Sequence, residues 1–164
     1  MNRTIRQATP DDAATILGFI RELAIYEKEP DAVVATEEDI VQNLFNAETT
    51  TEALICLSGE QPVGFAVYFQ SFSTWLGRDG LFLEDLYVSP ERRGEGHGKA
   101  LLKHLARTAV DRQCGRFEWN VLDWNVPAIR FYEALGARAQ SEWVGYRLEG
   151  RALLDLAGKR ESTE

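Results

Sequence analysis

An apolar run that leads through three closely spaced glycines into a helical pattern constrains this chain more than any other feature. Residues 81–88 (LFLEDLYV) predict a strand, which Ser89-Pro90 ends. Glycines at positions 94, 96 and 98 follow, and apolar residues at helical spacing predict a helix over about 99–112. Gly115 is expected to stop the helix before a strand over 116–122. Because strand, helix and strand in this order form a β-α-β unit, we expect a mixed sheet with helices against it.

The glycine turn itself is typical of a phosphate-binding loop. Glycines permit close approach of the backbone, and the start of a helix offers N–H groups at its positive dipole end, which together bind pyrophosphate. Arg92, Arg93 and Lys99 add positive charge, which disfavours the alternative of an ordinary solvated turn. A P-loop is excluded because the glycine spacing is one residue too short and Ala100 replaces the magnesium-binding hydroxyl. A dinucleotide fingerprint is excluded because the third glycine is out of register.

The remaining chain supplies helix starts, strands and turns in the order β-α-α-β-β-β-α-β-α-β. Capping-box pairs, Thr9 with Asp12 and Thr36 with Asp39, predict the first two helices, and the first of these reaches about Lys28. No repeat or linker divides the chain, so we expect a single domain over residues 1–164. The other predicted elements are a strand over 3–8, a hairpin of 52–57 and 63–72, a helix opened by Asn125 and Pro127 and ended by Gly136, and short strands over 137–141 and 144–148 before a terminal helical turn.

Composition excludes several classes of function. The 164 residues contain 18 Lys and Arg against 26 Asp and Glu, a formal net charge of −8, so neither nucleic acid nor an anionic membrane surface is expected as a partner. A cationic partner is compatible with this charge. The two cysteines, Cys56 and Cys114, form no disulfide framework, and with His97 and His104 they give no metal-ligand spacing, so no metal is expected. With no apolar signal segment and no membrane-length apolar span, we expect a cytoplasmic protein.

Several stretches carry a resemblance to a known family. Arg93-x-x-Gly96-x-Gly98 resembles the acetyl-CoA pyrophosphate loop of the GNAT superfamily, the Gcn5-related N-acetyltransferases. Residues 83–88 (LEDLYV) and 124–137 (WNVPAIRFYEALGA) are similar to the strand and Asn…Phe-Tyr…Gly blocks of that superfamily. Residues 22–28 (ELAIYEK) and 72–77 (FSTWLG) resemble its diamine (spermidine/spermine) N-acetyltransferase branch and the thialysine-acetylating relatives of that branch. The resemblance covers nearly the whole chain.

The resemblance implies a GNAT-like α/β (α+β) fold, with a mixed, mainly antiparallel sheet of six to seven strands that is flanked by helices and splayed at the acetyl-CoA site. It implies a single N-acetyltransferase domain, a homodimer, and acetyl-CoA as co-substrate without a metal. The implied reaction transfers the acetyl group by direct attack to a primary amine of a small cationic molecule, either a diamine or polyamine or a lysine-like amino acid such as thialysine. The alternatives are a CoA-binding or CoA-sensing module without turnover, and an N-acetyltransferase for proteins or peptides.

For acetyl-CoA, the resemblance assigns residues on both sides of the turn. Tyr132 is expected to protonate the CoA thiolate, and it follows Asn125 by seven residues, about two helical turns. A plain helix cap for Asn125 and core packing for Tyr132 are the alternatives. Because the backbone forms the cradle, Glu95 is expected to point to solvent and His97 to fill the loop. The residues expected to bind acetyl-CoA are Leu86, Tyr87 and Val88 at the pantetheine, Arg93, Gly94, Glu95, Gly96, His97, Gly98 and Lys99 at the pyrophosphate, and Asn125 at the cofactor arm.

For the amine, the resemblance assigns Glu84 to contact the substrate and to accept its proton, directly or through water. Neighbours on a strand face opposite sides, so Glu84 and Asp85 reach the amine together only if a bulge intervenes. The alternative is that one of the two pairs with an arginine such as Arg78. The residues expected to line the amine site are Tyr26, Glu27, Glu84, Asp85, Glu118, Trp119 and Asn120.

Structural alternatives exist for several of these residues. Tyr26 and Glu27 would equally suit a solvated helix end, and Trp119 would suit buried packing. Trp75 is expected at a dimer or lid contact, with core packing as its alternative. Residues 142–146 (EWVGY) have an apolar residue where the polyamine enzymes carry the second acid of a pair, which favours a shorter, lysine-like amine.

Overall fold

A computed structural model describes residues 2–159, which form two compact units. The N-terminal unit extends to Leu122, and the C-terminal unit begins at Asp123. The expectation of a single domain over 1–164 stays a prediction. No helix of the described part is long and apolar enough to cross a membrane.

The N-terminal unit is built on one five-stranded sheet in the order β1-β2-β3-β4-β5. The first four strands pair antiparallel in sequence, and β5 pairs parallel with β4. This is the mixed, mainly antiparallel arrangement expected from the sequence. The strands are β1 (Arg3–Gln7), β2 (Glu52–Ser58), β3 (Gln61–Ser73), β4 (Arg78–Val88) and β5 (Phe117–Trp119).

Residues 2–159 contain five α-helices, three in the N-terminal unit and two in the C-terminal unit. In the N-terminal unit they are α1 (Ala13–Tyr26), α2 (Glu37–Leu44) and α3 (His97–Asp111), and in the C-terminal unit α4 (Val126–Ala134) and α5 (Gly150–Leu156). Short 3-10 turns over Pro10–Asp12, Pro30–Ala32 and Pro90–Arg92 precede three of them. The predicted capping box at Thr36 is confirmed: its hydroxyl accepts a hydrogen bond from the Asp39 N–H (3.1 Å), and the Asp39 carboxylate accepts one from the Thr36 N–H (2.8 Å).

Helices α1 and α3 pack against opposite faces of the sheet. Ile55 on β2 belongs to an apolar cluster with Phe19 of α1 and Phe65 of β3, in which the two phenylalanine rings stack at 5.5 Å. Its neighbour Cys56 points to the other face, where its Sγ lies 3.7 Å from the ring of His97 at the start of α3. Each helix therefore buries its apolar stripe on one side of the same strands.

Two expectations about element ends are wrong. Helix α3 begins at His97, two residues earlier than predicted, and the left-handed residue after its last turn is Gln113 (φ 59°), not Gly115. Gly115 instead lies close to the β3–β4 turn, where a Cβ would lie 2.7 Å from the side chain of Leu76 and 2.9 Å from that of Arg78, so these flexible side chains would have to move. The helix end is therefore set by a backbone bond from the Cys114 N–H to the Ala109 carbonyl.

The sheet has five strands rather than six to seven. The strands expected over 137–141 and 144–148 do not form, and neither segment belongs to a β-ladder among residues 2–159. Trp143, Val144 and Tyr146 there are exposed, the last at 96%. A strand forms where a neighbouring strand takes up its N–H and C=O groups, which alternation in the sequence alone does not supply. The predicted helix caps of the C-terminal unit are confirmed, since Gly136 follows α4 with φ 93°.

Candidate active site

The glycine turn forms the start of helix α3. Gly94 and Gly96 have left-handed φ angles of 82° and 81°, and Gly96 is the residue that precedes the first helical turn. The first intrahelical bond runs from the Ala100 N–H to the Gly96 carbonyl, so the N–H groups before Ala100 lie at the positive end of the helix. A Cβ at Gly94 would meet no atom within 4 Å, which leaves room for a ligand to approach the backbone. The residues present therefore fit a pyrophosphate group.

The side chains of the turn are held in a polar network beside this backbone. The Glu95 carboxylate lies 3.0 Å from His97 Nε2 and 3.3 Å from Arg92 Nη2. Glu95 was expected to point to solvent, and its side chain is exposed (38%), although these two partners also hold it. His97 is 4% exposed and is hydrogen-bonded on both ring nitrogens, which is more than the loop filler that the sequence indicated.

Strand β4 has one edge without a paired strand next to the turn. Pairing between β4 and β5 begins at Leu81 with Phe117 and ends at Leu83 with Trp119. Leu86, Tyr87 and Val88 lie beyond that point, and among residues 2–159 they pair only with β3 on their other side. The pairing of β4 with β5 thus ends before residues 86–88, and the splay that the resemblance implied stays a prediction. The backbone of residues 86–88 is placed to pair with an extended, amide-containing ligand.

A β-bulge separates the two carboxylates of β4. Val67 pairs with Asp85 and Tyr68 with Leu83, so Glu84 is the extra residue of the bulge. Asp85 shares the face of Val67, which is the face covered by α1, and it is half-buried, whereas Glu84 is exposed. The bulge that the sequence analysis named as a condition is therefore present, and Asp85 rather than Glu84 is the carboxylate that the helices enclose.

Asp85 lines an open, largely apolar pocket of about 270 Å³ between α1, α2 and the sheet. The other lining residues are Ile16 and Ile20 of α1, Asp39, Ile40, Asn43 and Leu44 of α2, Thr51 and Val67. Burial, together with the negative charges of Glu84 and Glu27, raises the pKa of Asp85 from 3.8 to about 6. Burial also raises the pKa of Glu27. A carboxylate in such surroundings can hold a cation and can accept a proton near neutral pH.

Tyr26 contacts the glycine turn. The guanidinium carbon of Arg93 lies 5.0 Å from the centre of the Tyr26 ring and 5.4 Å from that of Tyr87. Arg93 Nε also donates a hydrogen bond of 3.0 Å to the carbonyl of Val88. The first residue of the turn is thus fixed against the end of α1, a contact between residues 67 positions apart that local sequence patterns do not reveal.

Strand β5 carries two of the residues expected at the amine site, Glu118 and Trp119, and the third, Asn120, follows it directly. Glu118 stands opposite Phe82 of β4, and its carboxylate is 3.9 Å from Arg116 Nε. The ring of Trp119 packs on that of Phe117 at 5.0 Å. Asn120 follows the last residue of the strand and is exposed. Trp119 is half-buried rather than buried, so its place at the amine site stays a prediction.

Asn125 and Tyr132 belong to the C-terminal unit. Asn125 is the N-cap of α4, where its Oδ1 accepts a hydrogen bond of 3.4 Å from the Ala128 N–H. The Tyr132 ring lies 5.7 Å from that of Phe131. Seven residues separate Asn125 from Tyr132, so both lie on one side of α4. The cap predicted for Asn125 is confirmed, and the roles of both residues toward acetyl-CoA stay predictions.

Sequence reasoning missed residues that meet at these sites from distant parts of the chain. Arg3 reaches the turn from β1, and Asp39 and Asn43 reach the pocket from α2. For Arg3 no local signal exists, because its partner His97 lies 94 residues away. For α2, the amphipathic pattern predicted a helix but did not reveal which strand residues it would cover.

Comparison with known proteins agrees with this arrangement. The Acetyltransferase (GNAT) family matches residues 17–137 of the chain. A thialysine N-epsilon-acetyltransferase from Sus scrofa is 40% identical over 166 aligned residues, which cover 94% of this chain and 97% of the relative. An L-ornithine N5-acetyltransferase from Arabidopsis thaliana is 32% identical, with 91% of this chain and 85% of the relative covered. Among solved structures, an integron cassette protein from the mobile metagenome of V. cholerae superposes with a TM-score of 0.81 at 29% identity, covering 96% of this chain and 98% of that one.

Proposed function

This chain belongs to the acetyltransferase (GNAT) family, and we propose that it transfers the acetyl group of acetyl-CoA to the primary amine of a small cationic molecule. One observation carries the proposal: β4 presents a half-buried carboxylate, Asp85, to an open pocket and then leads directly into the anion-binding turn. The pocket suits an ammonium group and the turn suits a pyrophosphate. The relatives named for acetylating thialysine and ornithine favour this reading over a module without turnover and over an acetyltransferase for proteins.

The preferred acceptor is a lysine-like amino acid with a terminal amine. The printed names of the relatives, thialysine and ornithine acetyltransferases, support this class. The apolar residue in place of the second acid near Glu142 supports it as well, because a long polyamine has more positive charges to neutralise. Diamines and polyamines are the second class to test.

On the acetyl-CoA side, the protein supplies backbone and charge. The N–H groups of residues 94–99 hold the pyrophosphate, with positive charge from Arg93 and Lys99, and the free edge at 86–88 pairs with the pantetheine amides. Acetyl-CoA supplies the thioester, whose carbonyl carbon gains a bond to nitrogen as its bond to sulfur breaks. Tyr132 donates the proton that the leaving sulfur takes up, and Asn125 contacts the cofactor arm.

On the amine side, a base is required because an alkylammonium has a pKa of about 10.4 and has no free electron pair while protonated. Asp85 holds the ammonium in the pocket, and Glu84 at the bulge takes its first proton, directly or through water. The second proton that the nitrogen loses as the amide forms passes to solvent, from which Tyr132 regains the proton that it gives to sulfur. Tyr26, Glu27, Glu118, Trp119 and Asn120 form the wider border of the amine site. The variants Asp85→Asn and Glu84→Gln test whether Asp85 binds the ammonium and Glu84 accepts its proton. With Asp85 as the group that must be ionised, log kcat/KM rises through pH 6 in the native protein. The limb moves to lower pH in Glu84→Gln, because the Glu84 charge contributes to the raised pKa of Asp85, and Asp85→Asn loses the limb.

The proposal as a whole is tested by a screen of amines with the full chain and acetyl-CoA, in which mass spectrometry identifies the product and thiol release gives the rate. Thialysine, lysine, ornithine, putrescine, spermidine, an aminoglycoside and a lysine-containing peptide form the panel. The expected product is an amino acid acetylated on its terminal amine. Acetyl-CoA binding by calorimetry with no acetylated product would favour the sensing module, and a dominant peptide product would favour a protein acetyltransferase.

A homodimer and a cytoplasmic location are part of the same proposal. Trp75 at the β3–β4 turn is 81% exposed and adjoins the exposed Phe72 and Leu76, an apolar group of the kind that subunit interfaces cover. Light scattering on the full chain and on Trp75→Glu tests the homodimer. A native dimer that becomes monomeric in Trp75→Glu supports an interface at this turn, and a monomeric native protein excludes the homodimer.

A further inference from the structure

His97 stands at the centre of the polar network behind the glycine turn. It is the first residue of α3, it is 4% exposed, and both of its ring nitrogens have partners. Arg3 Nε lies 3.0 Å from Nδ1, and a Glu95 carboxylate oxygen lies 3.0 Å from Nε2. A buried polar side chain with complete hydrogen bonding fixes the positions of the segments that it joins.

The partners determine which ring nitrogen carries the proton. A guanidinium has only donor groups, so Nδ1 of His97 accepts from Arg3 and is unprotonated. The proton is therefore on Nε2, which donates to the Glu95 carboxylate. The Sγ of Cys56, 3.7 Å from Nδ1, completes the surroundings of that nitrogen. Strand β1, strand β2 and the turn all meet at this one imidazole.

The network also holds the negatively charged side chain of Glu95 in a fixed position. A carboxylate beside an anion-binding turn would repel pyrophosphate if it faced the ligand. Here His97 and Arg92 hold it, and Arg92 in turn donates a hydrogen bond to the Ser58 hydroxyl on β2. Arg3 Nη2 donates to the backbone carbonyl of Glu95 as well. The segment between the two left-handed glycines is thereby attached to the sheet by both its side chain and its backbone.

We propose that His97, acting through Arg3 and Glu95, is a positioning residue that fixes the turn in the conformation required for the pyrophosphate of acetyl-CoA. The inference rests on the proposed function, because it assumes that acetyl-CoA is the ligand of the turn. The His97 side chain does not contact the ligand, since both of its ring nitrogens are occupied by protein groups, and only its backbone N–H belongs to the pyrophosphate cradle. Its effect is therefore on the affinity for acetyl-CoA and not on the chemical step.

Three substitutions at two positions test the network, with a control at the other histidine of the same helix. Glu95→Ala removes the carboxylate from the surface, and His97→Leu removes the imidazole; His104→Leu is the matched control because no hydrogen bond of its ring belongs to the network. His97→Gln restores a side-chain acceptor and a donor in one group. The dissociation constant for acetyl-CoA is measured by calorimetry without amine, and KM and kcat are measured with acetyl-CoA and with acetyl-pantetheine, which lacks the pyrophosphate.

The expected result is an acetyl-CoA affinity about tenfold weaker in His97→Leu and weaker in Glu95→Ala, as for loss of a charge-assisted hydrogen bond. His97→Gln recovers part of it, His104→Leu matches the native protein, and kcat stays within about twofold for all. The kcat/KM for acetyl-pantetheine is unchanged, which a general loss of structure would not allow. Equal losses with both acyl donors, or unchanged acetyl-CoA affinity in folded Glu95→Ala, overturns the inference. A native protein that does not bind acetyl-CoA overturns the proposed function instead.

Discussion

The guanidinium of Arg93 lies 5.0 Å from the centre of the Tyr26 ring, which joins the end of helix α1 to the first residue of the glycine turn. The resemblance to the diamine acetyltransferases assigned Tyr26 to the amine channel. The contact gives it a second relationship, to the side of the molecule that is proposed to bind acetyl-CoA. The two roles predict different kinetic effects, and so they can be separated.

Replacing Tyr26 by leucine is expected to weaken acetyl-CoA binding about two- to fivefold, because a cation–π contact at a partly exposed site contributes about 0.5–1 kcal/mol. Tyr26→Phe keeps the ring and is expected to bind acetyl-CoA as the native protein does. Calorimetry with acetyl-CoA alone measures the effect. If Tyr26→Leu instead leaves this affinity unchanged and raises only the KM of the amine, Tyr26 serves the amine site and the contact with Arg93 is incidental.

Asp85 is expected to reduce the stability of the folded chain above pH 6. Its pKa is about 6 in the folded protein against an ordinary value of 3.8, mainly because it is buried. The folded state therefore binds more protons than the unfolded state between about pH 4 and pH 6, and the free energy of unfolding falls as the pH rises through this window. Asp85→Asn removes the ionisation and is expected to gain about 1–2 kcal/mol at pH 7.5 relative to its effect at pH 4.

Urea unfolding of the native protein and Asp85→Asn at the two pH values measures this difference. Glu60→Gln at the turn between β2 and β3 is the control, because Glu60 is an exposed carboxylate that does not contribute to the raised pKa of Asp85. A gain for Asp85→Asn that is the same at pH 4 and pH 7.5 would mean that the substitution acts through packing rather than through charge. A gain at pH 7.5 combined with loss of activity would identify a position where stability is given up for binding.

Local patterns in the sequence predicted those parts of the fold that local contacts determine. The capping box at Thr36, the strand over 81–88 and the cap and end of α4 at Asn125 and Gly136 each depend on residues a few positions apart. The alternation of side chains along a strand showed that Glu84 and Asp85 could face the amine together only if a bulge lies between them. It did not reveal whether that bulge exists. Pairing with β3 decides that question, and pairing between strands is a long-range property.

The incorrect and missed features are long-range for the same reason. Alternating residues over 144–148 satisfied the pattern of a strand but did not supply a partner for its backbone. The network of Arg3, His97 and Glu95 joins strand β1 to the glycine turn more than 90 residues later, so neither the spacing nor the composition of the turn could reveal it. The family resemblance located the turn correctly, and only the fold identified what holds its side chains.

Two glycines provide a matched test of how closely β3 packs on β4 at residues 86–88, the segment whose free edge is proposed to pair with the pantetheine. A Cβ at Gly64 on β3 would lie 2.6 Å from the backbone carbonyl oxygen of Tyr87, so β3 and β4 would have to shift apart. Gly18 in the middle of α1 is exposed, and a Cβ there would meet nothing within 4 Å. Gly64→Ala is expected to lose about 1–3 kcal/mol of unfolding free energy through overpacking, while Gly18→Ala gains about 0.5–1 kcal/mol from its higher helix propensity.

Urea unfolding monitored by circular dichroism gives both values. Because the shift in Gly64→Ala displaces the backbone at Tyr87, the KM of acetyl-CoA is expected to rise in that variant and to stay unchanged in Gly18→Ala. A stable Gly64→Ala with native KM would show that the two strands can separate at this point without affecting the edge at residues 86–88.

Tyr132→Phe tests the acid that is proposed to complete the reaction. The substitution removes one hydroxyl and keeps the ring that packs on Phe131, so the helix α4 is expected to remain intact. If Tyr132 protonates the leaving sulfur, kcat falls by about 10²–10⁴-fold, the usual contribution of a positioned general acid, while KM for acetyl-CoA changes little. The loss should be smaller with an acyl donor whose thiol is more acidic, because a better leaving group needs less help from a proton. A kcat that is unchanged, or a loss that is equal for both donors, would remove Tyr132 from this role and leave solvent as the source of the proton.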